Sequence, residues 1–264
     1  MSDAKSVSAG SITVGQGADT REIAYLHRSG KKAAPALVWL GGYRSDMIGT
    51  KAVALDELAA ETGMEAIRFD YSGHGVSGGE FRDGTISRWL EESLAVIAHF
   101  APKEAVLVGS SMGGWITLRI VEEIARRKLP VTLKGIALIA PAPDFTYELI
   151  EPALSEAERN DLATKGYFEE HSAYSPEPNI FTRALMEDGR ENRVLKGILD
   201  CGCPVHILQG MRDDDVPYTH ALKLMEHLPS DDVVLTLIRD GDHRLSRPQD
   251  IERLRAAILE MTKP

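Results

Sequence analysis

Gly109-Ser110-Ser111-Met112-Gly113 sets one serine midway between two glycines, in the pattern G-x-S-x-G centred on Ser111. Ser110 does not fit, because Val108 and Met112 would then hold the glycine positions. A strand that turns abruptly into a helix presents one residue at the apex in a strained backbone conformation. The residues two before and two after come almost into contact there, so only small side chains fit. The apex side chain then stands at a helix N-terminus, where free N–H groups and the helix dipole stabilise a developing oxyanion. A glycine-rich strand–helix turn without catalysis, as in dinucleotide-binding folds, has the same composition, so the partners decide.

A serine hydroxyl is a weak nucleophile. It needs a base, and the base needs an orienting carboxylate. In the strand–turn–helix setting the chain order is serine, then acid, then histidine, each after a strand. "VHILQGMRDDDVP" supplies Asp213, three residues after Gly210, and "VVLTLIRDGDHRLS" supplies His243. Asp214 and Asp215 read as turn-forming and solvated, and Asp242 as a turn residue. Of the other histidines, His206 lies within a strand-like run. His99, His220 and His227 lie on helical stretches, His27 in an N-terminal hairpin and His171 in a late, irregular segment. His74, in "DYSGHGVSGG", is expected to line the mouth of the site, but it precedes the serine and fits the order badly as a base. Two N–H donors for an oxyanion are expected. One is Met112, after the serine; the other is Tyr43, in the loop Gly41-Gly42-Tyr43-Arg44-Ser45 that follows "ALVWL".

The elements that must position these residues are legible as runs. "ALVWLGG", "MEAIRFD", "EAVLVGS", "LKGIALIAPA", "CPVHILQG" and "VVLTLIRD" are continuous apolar runs of strand length, as expected of strands buried on both faces. Helical patterns lie between them. "TKAVALDELAAETG" ends at Gly63, a C-cap. "SRWLEESLAVIAHF" sets Trp89, Ser93, Val96 and Ile97 on one side, and "WITLRIVEEIARRK" repeats Ile116, Ile120 and Ile124. Strand–helix alternation predicts a mostly parallel sheet with helices on both faces. "GSITVGQ" and "REIAYLHRSG" alternate and predict an antiparallel edge hairpin. Residues 143–202 break the rhythm and are expected to insert over the C-terminal edge of the sheet as a cap, within one domain spanning 1–264. This stretch carries Phe145, Tyr147, Tyr167, Phe168, Tyr174 and Phe181, and also Arg183, Arg190 and Arg193. The aromatics either pack the segment onto the sheet or form an apolar underside for an acyl chain. The arginines are either solvated or meet an anionic leaving group.

The chain has 264 residues, 43% of them hydrophobic and 27% charged, enough for a full core. Its formal net charge is −10, from 30 basic and 40 acidic side chains. That surface repels phosphate backbones and anionic membranes, so nucleic acid is not an expected partner. No apolar run approaches the ~18 residues of a membrane span. "MSDAKSVSAGSITVG" has no apolar core and is not arginine-rich, which predicts a cytoplasmic location. Cys201 and Cys203 are too close to bridge easily, lack the spacing of a zinc site, and read as buried thiols in a reducing compartment.

Together these residues resemble the α/β-hydrolase superfamily over essentially the whole chain. "LGGYRSDMIGTKA", "IRFDYSGHGVSGG", "GMRDDDVP" and "GDHR" resemble, within it, a branch of acyl-glucuronide esterases and palmitoyl-protein thioesterases. The resemblance implies an α/β-hydrolase fold, with Ser111 as nucleophile, Asp213 as orienter and His243 as base. It implies hydrolysis of an acyl ester or thioester, small-molecule or carried on a protein, with neither metal nor organic cofactor. The branch's mitochondrial location is not carried over. The same residue set would serve amide, peptide or C–C bond hydrolysis, or persist in a non-catalytic ligand-binding protein. A dehalogenase is disfavoured, because it needs aspartate where Ser111 stands.

Overall fold

The apolar runs pair side by side. In the computed structural model, which describes residues 7–31, 34–171, 178–228 and 232–263, eight strands form one sheet. They are β1 (Ser8–Val14), β2 (Arg21–Arg28), β3 (Ala36–Leu40), β4 (Glu65–Phe69), β5 (Glu104–Ser110), β6 (Thr132–Ile139), β9 (Val205–Gly210) and β10 (Val233–Ile238). Their order across the sheet is β1-β2-β4-β3-β5-β6-β9-β10. From β4 to β10 every pairing is parallel. The β1–β2 hairpin is antiparallel, with Ile12 opposite Ile23, and β2 joins β4 antiparallel. This is the edge arrangement expected from the alternating N-terminus.

Parallel strands need helical crossovers, and these cover both faces. One face carries α1 (Thr50–Thr62) and α8 (Pro248–Met261). Their apolar sides pack on Leu37, Trp39, Val106, Val108 and Ala137. The opposite face carries α2 (Ile86–Phe100), α3 (Met112–Arg127) and α7 (Tyr218–Glu226), over Val38, Leu40, Leu107, Ile136 and Ile207. Alternate residues of one strand thus feed two cores, which is why these strands read as unbroken apolar runs. Gly63 closes α1 in the left-handed conformation at φ 77°, donating its N–H to Ala59 O.

Between β6 and β9, which pair directly, the chain makes a long excursion. It holds a wide helical turn (Thr146–Ile150), short helices α4 (Glu151–Ala153) and α5 (Glu156–Thr164), strands β7 (Tyr167–Glu170) and β8 (Asn179–Thr182), and α6 (Arg183–Glu191). Ser155 and Glu158 close a reciprocal cap at the start of α5. The strands β7 and β8 pair antiparallel as a separate two-stranded sheet. Cys201 and Cys203 lie buried and unbridged just before β9. Burial pushes their thiols up to about 12 and about 11, so they stay protonated and inert.

Candidate active site

Ser111 stands at the junction of β5 and α3 with φ 53° and ψ −118°. A non-glycine residue there costs about 1–3 kcal/mol and persists only where its surroundings over-determine it. Here they do: its N–H donates to Ile139 O (2.9 Å), and its carbonyl accepts from Gly114 N (2.9 Å) and Ala142 N (3.1 Å). The flanking glycines are a steric requirement. A Cβ on Gly109 would lie 2.4 Å from Thr117 Oγ1 and 2.5 Å from Gly113 O; one on Gly113 would lie 2.0 Å from Leu40 O. Ser111 occupies the N-cap position of α3, where a serine usually spends its hydroxyl on the helix's own N–H groups. It does not cap α3.

That hydroxyl meets His243 instead, with Nε2 3.1 Å from Ser111 Oγ. On the other side of the ring, Nδ1 is 2.9 Å from Asp213 Oδ2. A carboxylate can only accept, so the Nδ1 proton points at Asp213 and Nε2 is the acceptor for serine. The Asp213 side chain is fully buried and that of His243 is 17% exposed. Asp213 Oδ1 accepts from the N–H groups of Asp215 (3.0 Å) and Val216 (2.8 Å), and Oδ2 accepts from Gln209 Nε2 (3.0 Å). The loops after β9 and β10 press together backbone to backbone. A Cβ on Gly210 would sit 2.5 Å from Gly241 O, and Arg212 N–H donates to Gly241 O. Asp242 accepts from Leu245 N–H, the turn role read from sequence. Asp214 and Asp215 are exposed at the cavity edge.

Met112 N–H is the first of α3, where no intrahelical acceptor exists. Among the described residues Tyr43 N–H has no acceptor either. The Gly42–Tyr43 backbone abuts the serine: a Cβ on Gly42 would lie 3.3 Å from Ser111 Cβ. The Tyr43 ring stacks on Phe181 at 5.3 Å, and its hydroxyl donates to Ile180 O.

Ser111, Met112, Tyr43 and His243 line a cavity of about 780 Å³. Its apolar wall is Phe145, Leu149, Ile150, Leu154, Phe168 and Phe181, all from the excursion between β6 and β9. Three expectations need correction. His74 does not line the mouth; it is buried against Tyr71, Phe81 and Trp89, where it can pack its ring. The three arginines of 143–202 do not reach the cavity, so the charge-reading account of them falls. Arg183 donates to the carbonyls of Leu162 and Ala163 near the end of α5, Arg190 pairs with Glu151, and Arg193 lies over the Tyr147 ring. Not all of the aromatics serve one role: Tyr147 and Tyr167 carry Arg193 and Arg82 on their faces instead. Tyr174 lies outside the described residues. The cavity's basic lining is Arg44, Lys51 and Arg244, and its acidic lining includes Glu158, Glu170, Asp214 and Asp215. Sequence reading passed over Lys51 and Gln209. The one signal for Gln209 is a polar residue after the apolar pair Ile207-Leu208 in the run "VHILQG".

Fold and site together define a class. The model of the α/β hydrolase family matches residues 34–255, and the chain belongs to that family; it is a hydrolase. It is 33% identical over 238 residues to the mitochondrial palmitoyl-protein thioesterase ABHD10 of Pongo abelii, covering 89% of this chain and 75% of the relative. The human protein of the same name is 32% identical over 237 residues, with the same coverage. Among solved structures, a protein from Agrobacterium vitis S4 is 67% identical with a TM-score of 0.96, covering 98% of this chain and all of the other. Mouse α/β hydrolase domain-containing protein 10 is 30% identical with a TM-score of 0.83, covering 96% of this chain and 98% of its own.

Proposed function

We propose that this chain hydrolyses acyl esters or thioesters through an acyl-enzyme on Ser111. The observation that carries the reading is one imidazole bonded to both partners, with Nε2 on Ser111 Oγ and Nδ1 on the buried Asp213 carboxylate. In this reading Ser111 Oγ attacks the acyl carbonyl carbon as its proton passes to His243 Nε2. The oxyanion rests on the N–H groups of Met112 and Tyr43. His243 returns the proton to the leaving oxygen or sulfur, the bond to the leaving group breaks, and an acyl-serine remains. Water then attacks, its proton taken by His243, and the carboxylic acid departs. Asp213 holds the Nδ1 tautomer and stabilises the transient imidazolium.

The segment 143–202 acts as a cap of a single hydrolase domain, and its apolar wall takes the acyl chain. A cavity of 780 Å³ is within the range of small-molecule sites. Relatives named as palmitoyl-protein thioesterases support a thioester, free or on an acylated protein, as the substrate. We place the chain in the cytoplasm, as the N-terminal sequence predicts. No helix among the described residues is long and apolar enough to cross a membrane.

Ser111→Ala is expected to lower turnover of a p-nitrophenyl ester and of an acyl thioester by roughly 10⁴-fold or more. Ser110→Ala should retain most activity. Comparable losses from both variants, each with the parent's thermal unfolding, would sink the assignment.

A further inference from the structure

Gln209 is the last side chain of β9 before Gly210, and it is fully buried. Its amide nitrogen faces three acceptors: Asp213 Oδ2 at 3.0 Å, Gly210 O at 3.1 Å and Val216 O at 3.1 Å. Turning the amide over would aim its oxygen at all three, so the nitrogen must face them. Among the described residues the buried amide oxygen has no donor. A core position that only needed filling would hold an apolar residue at no such cost. Both ends of the loop 210–216 and the acid inside it converge on this one –NH2 group.

We infer that Gln209 is a positioning residue for hydrolysis at Ser111, acting through Asp213, an inference that rests on the function proposed above. Its N–H fixes Asp213 Oδ2 at the place where that oxygen also accepts from His243 Nδ1. Being neutral, it gives the buried carboxylate a donor without adding a second charge beside it. In Gln209→Glu the side chain keeps nearly the same shape and the logic reverses. While protonated, the introduced carboxyl would donate to Asp213 Oδ2 as the amide does; once that shared proton is lost, two carboxylates face each other and the pair repels. The titratable groups around this point are Asp213, His243, Asp214 and Asp215.

The test compares Gln209→Met, Gln209→Glu and the parent over pH 5–9, with Ser111→Ala as control and thermal unfolding recorded for each. Gln209→Met should lower kcat by tenfold or more, with KM within about twofold. Gln209→Glu should work best at the acid end and gain a falling alkaline limb in kcat/KM that the parent lacks. If both variants match the parent, or both lose activity with a profile of the parent's shape, Gln209 does no positioning and the inference is overturned, while an inactive Ser111→Ala keeps the reaction assignment intact. An active Ser111→Ala overturns the reaction assignment and this inference with it.

Discussion

Asp213 receives four donors on its two oxygens: the N–H groups of Asp215 and Val216, the Gln209 amide and the His243 ring. Its acidic neighbours face solvent. Three adjacent aspartates thus do different work, and the difference is one of burial. Asp213→Asn should lower kcat by roughly 10⁴-fold, because an amide can present N–H to the imidazole and favour the wrong tautomer. Asp214→Asn and Asp215→Asn should stay within about tenfold of the parent. Steady-state kinetics on a neutral ester checks this, and a larger loss at Asp215 than at Asp213 would move the orienting role two residues along.

The candidates Ser111 and His243 could be placed at the scale of elements from sequence alone, because each follows a strand at a tight turn. The first of these turns yields a prediction. Gly113→Ala drives a Cβ against the carbonyls of Leu40 and Gly41, so α3 and the loop carrying Tyr43 must separate. Overpacking of this kind costs about 1–3 kcal/mol, or several degrees in Tm for a chain of this size. Ester turnover should fall as well, since both N–H groups proposed to hold the oxyanion flank that contact. A variant with the parent's Tm and activity would show that the junction is looser than described. The central strands and their flanking helices were legible because burial on both faces writes continuous apolar runs. The place of the excursion was legible too, but the layout inside it was not. In "FTRALMEDGRENRVL" the sequence shows three arginines but not where α6 and the turn after it direct them, and they reach Leu162, Glu151 and Tyr147. Gln209 escaped for a related reason: its meaning depends on Asp213 and Val216 folding back over it.

Across the whole molecule the acid limit of stability has an identifiable contributor in His74. Burial, opposed by the Ser72 carbonyl and reinforced by the charge of Arg44, pulls its pKa down to about 4. An unfolded histidine takes its proton near pH 6.5. Between those values the unfolded chain binds a proton that the folded chain refuses, so stability is fully present above pH 6.5 and drains away as pH falls towards 4. The full loss is of order 3 kcal/mol. His74→Gln should flatten the dependence of Tm on pH across that window; parallel curves for parent and variant would remove His74 from the account. A second whole-molecule property follows from Tyr43. It follows Gly42, which abuts Ser111; its ring lies on Phe181 and its hydroxyl donates to Ile180 O of β8. One residue therefore works as a rigid linkage between the floor of the cavity and its roof. If β8 lifts away from the cavity, it must either break that linkage or pull the Gly42–Tyr43 backbone away from the serine, so the two sides of the cavity separate independently only once the Tyr43 contacts are lost.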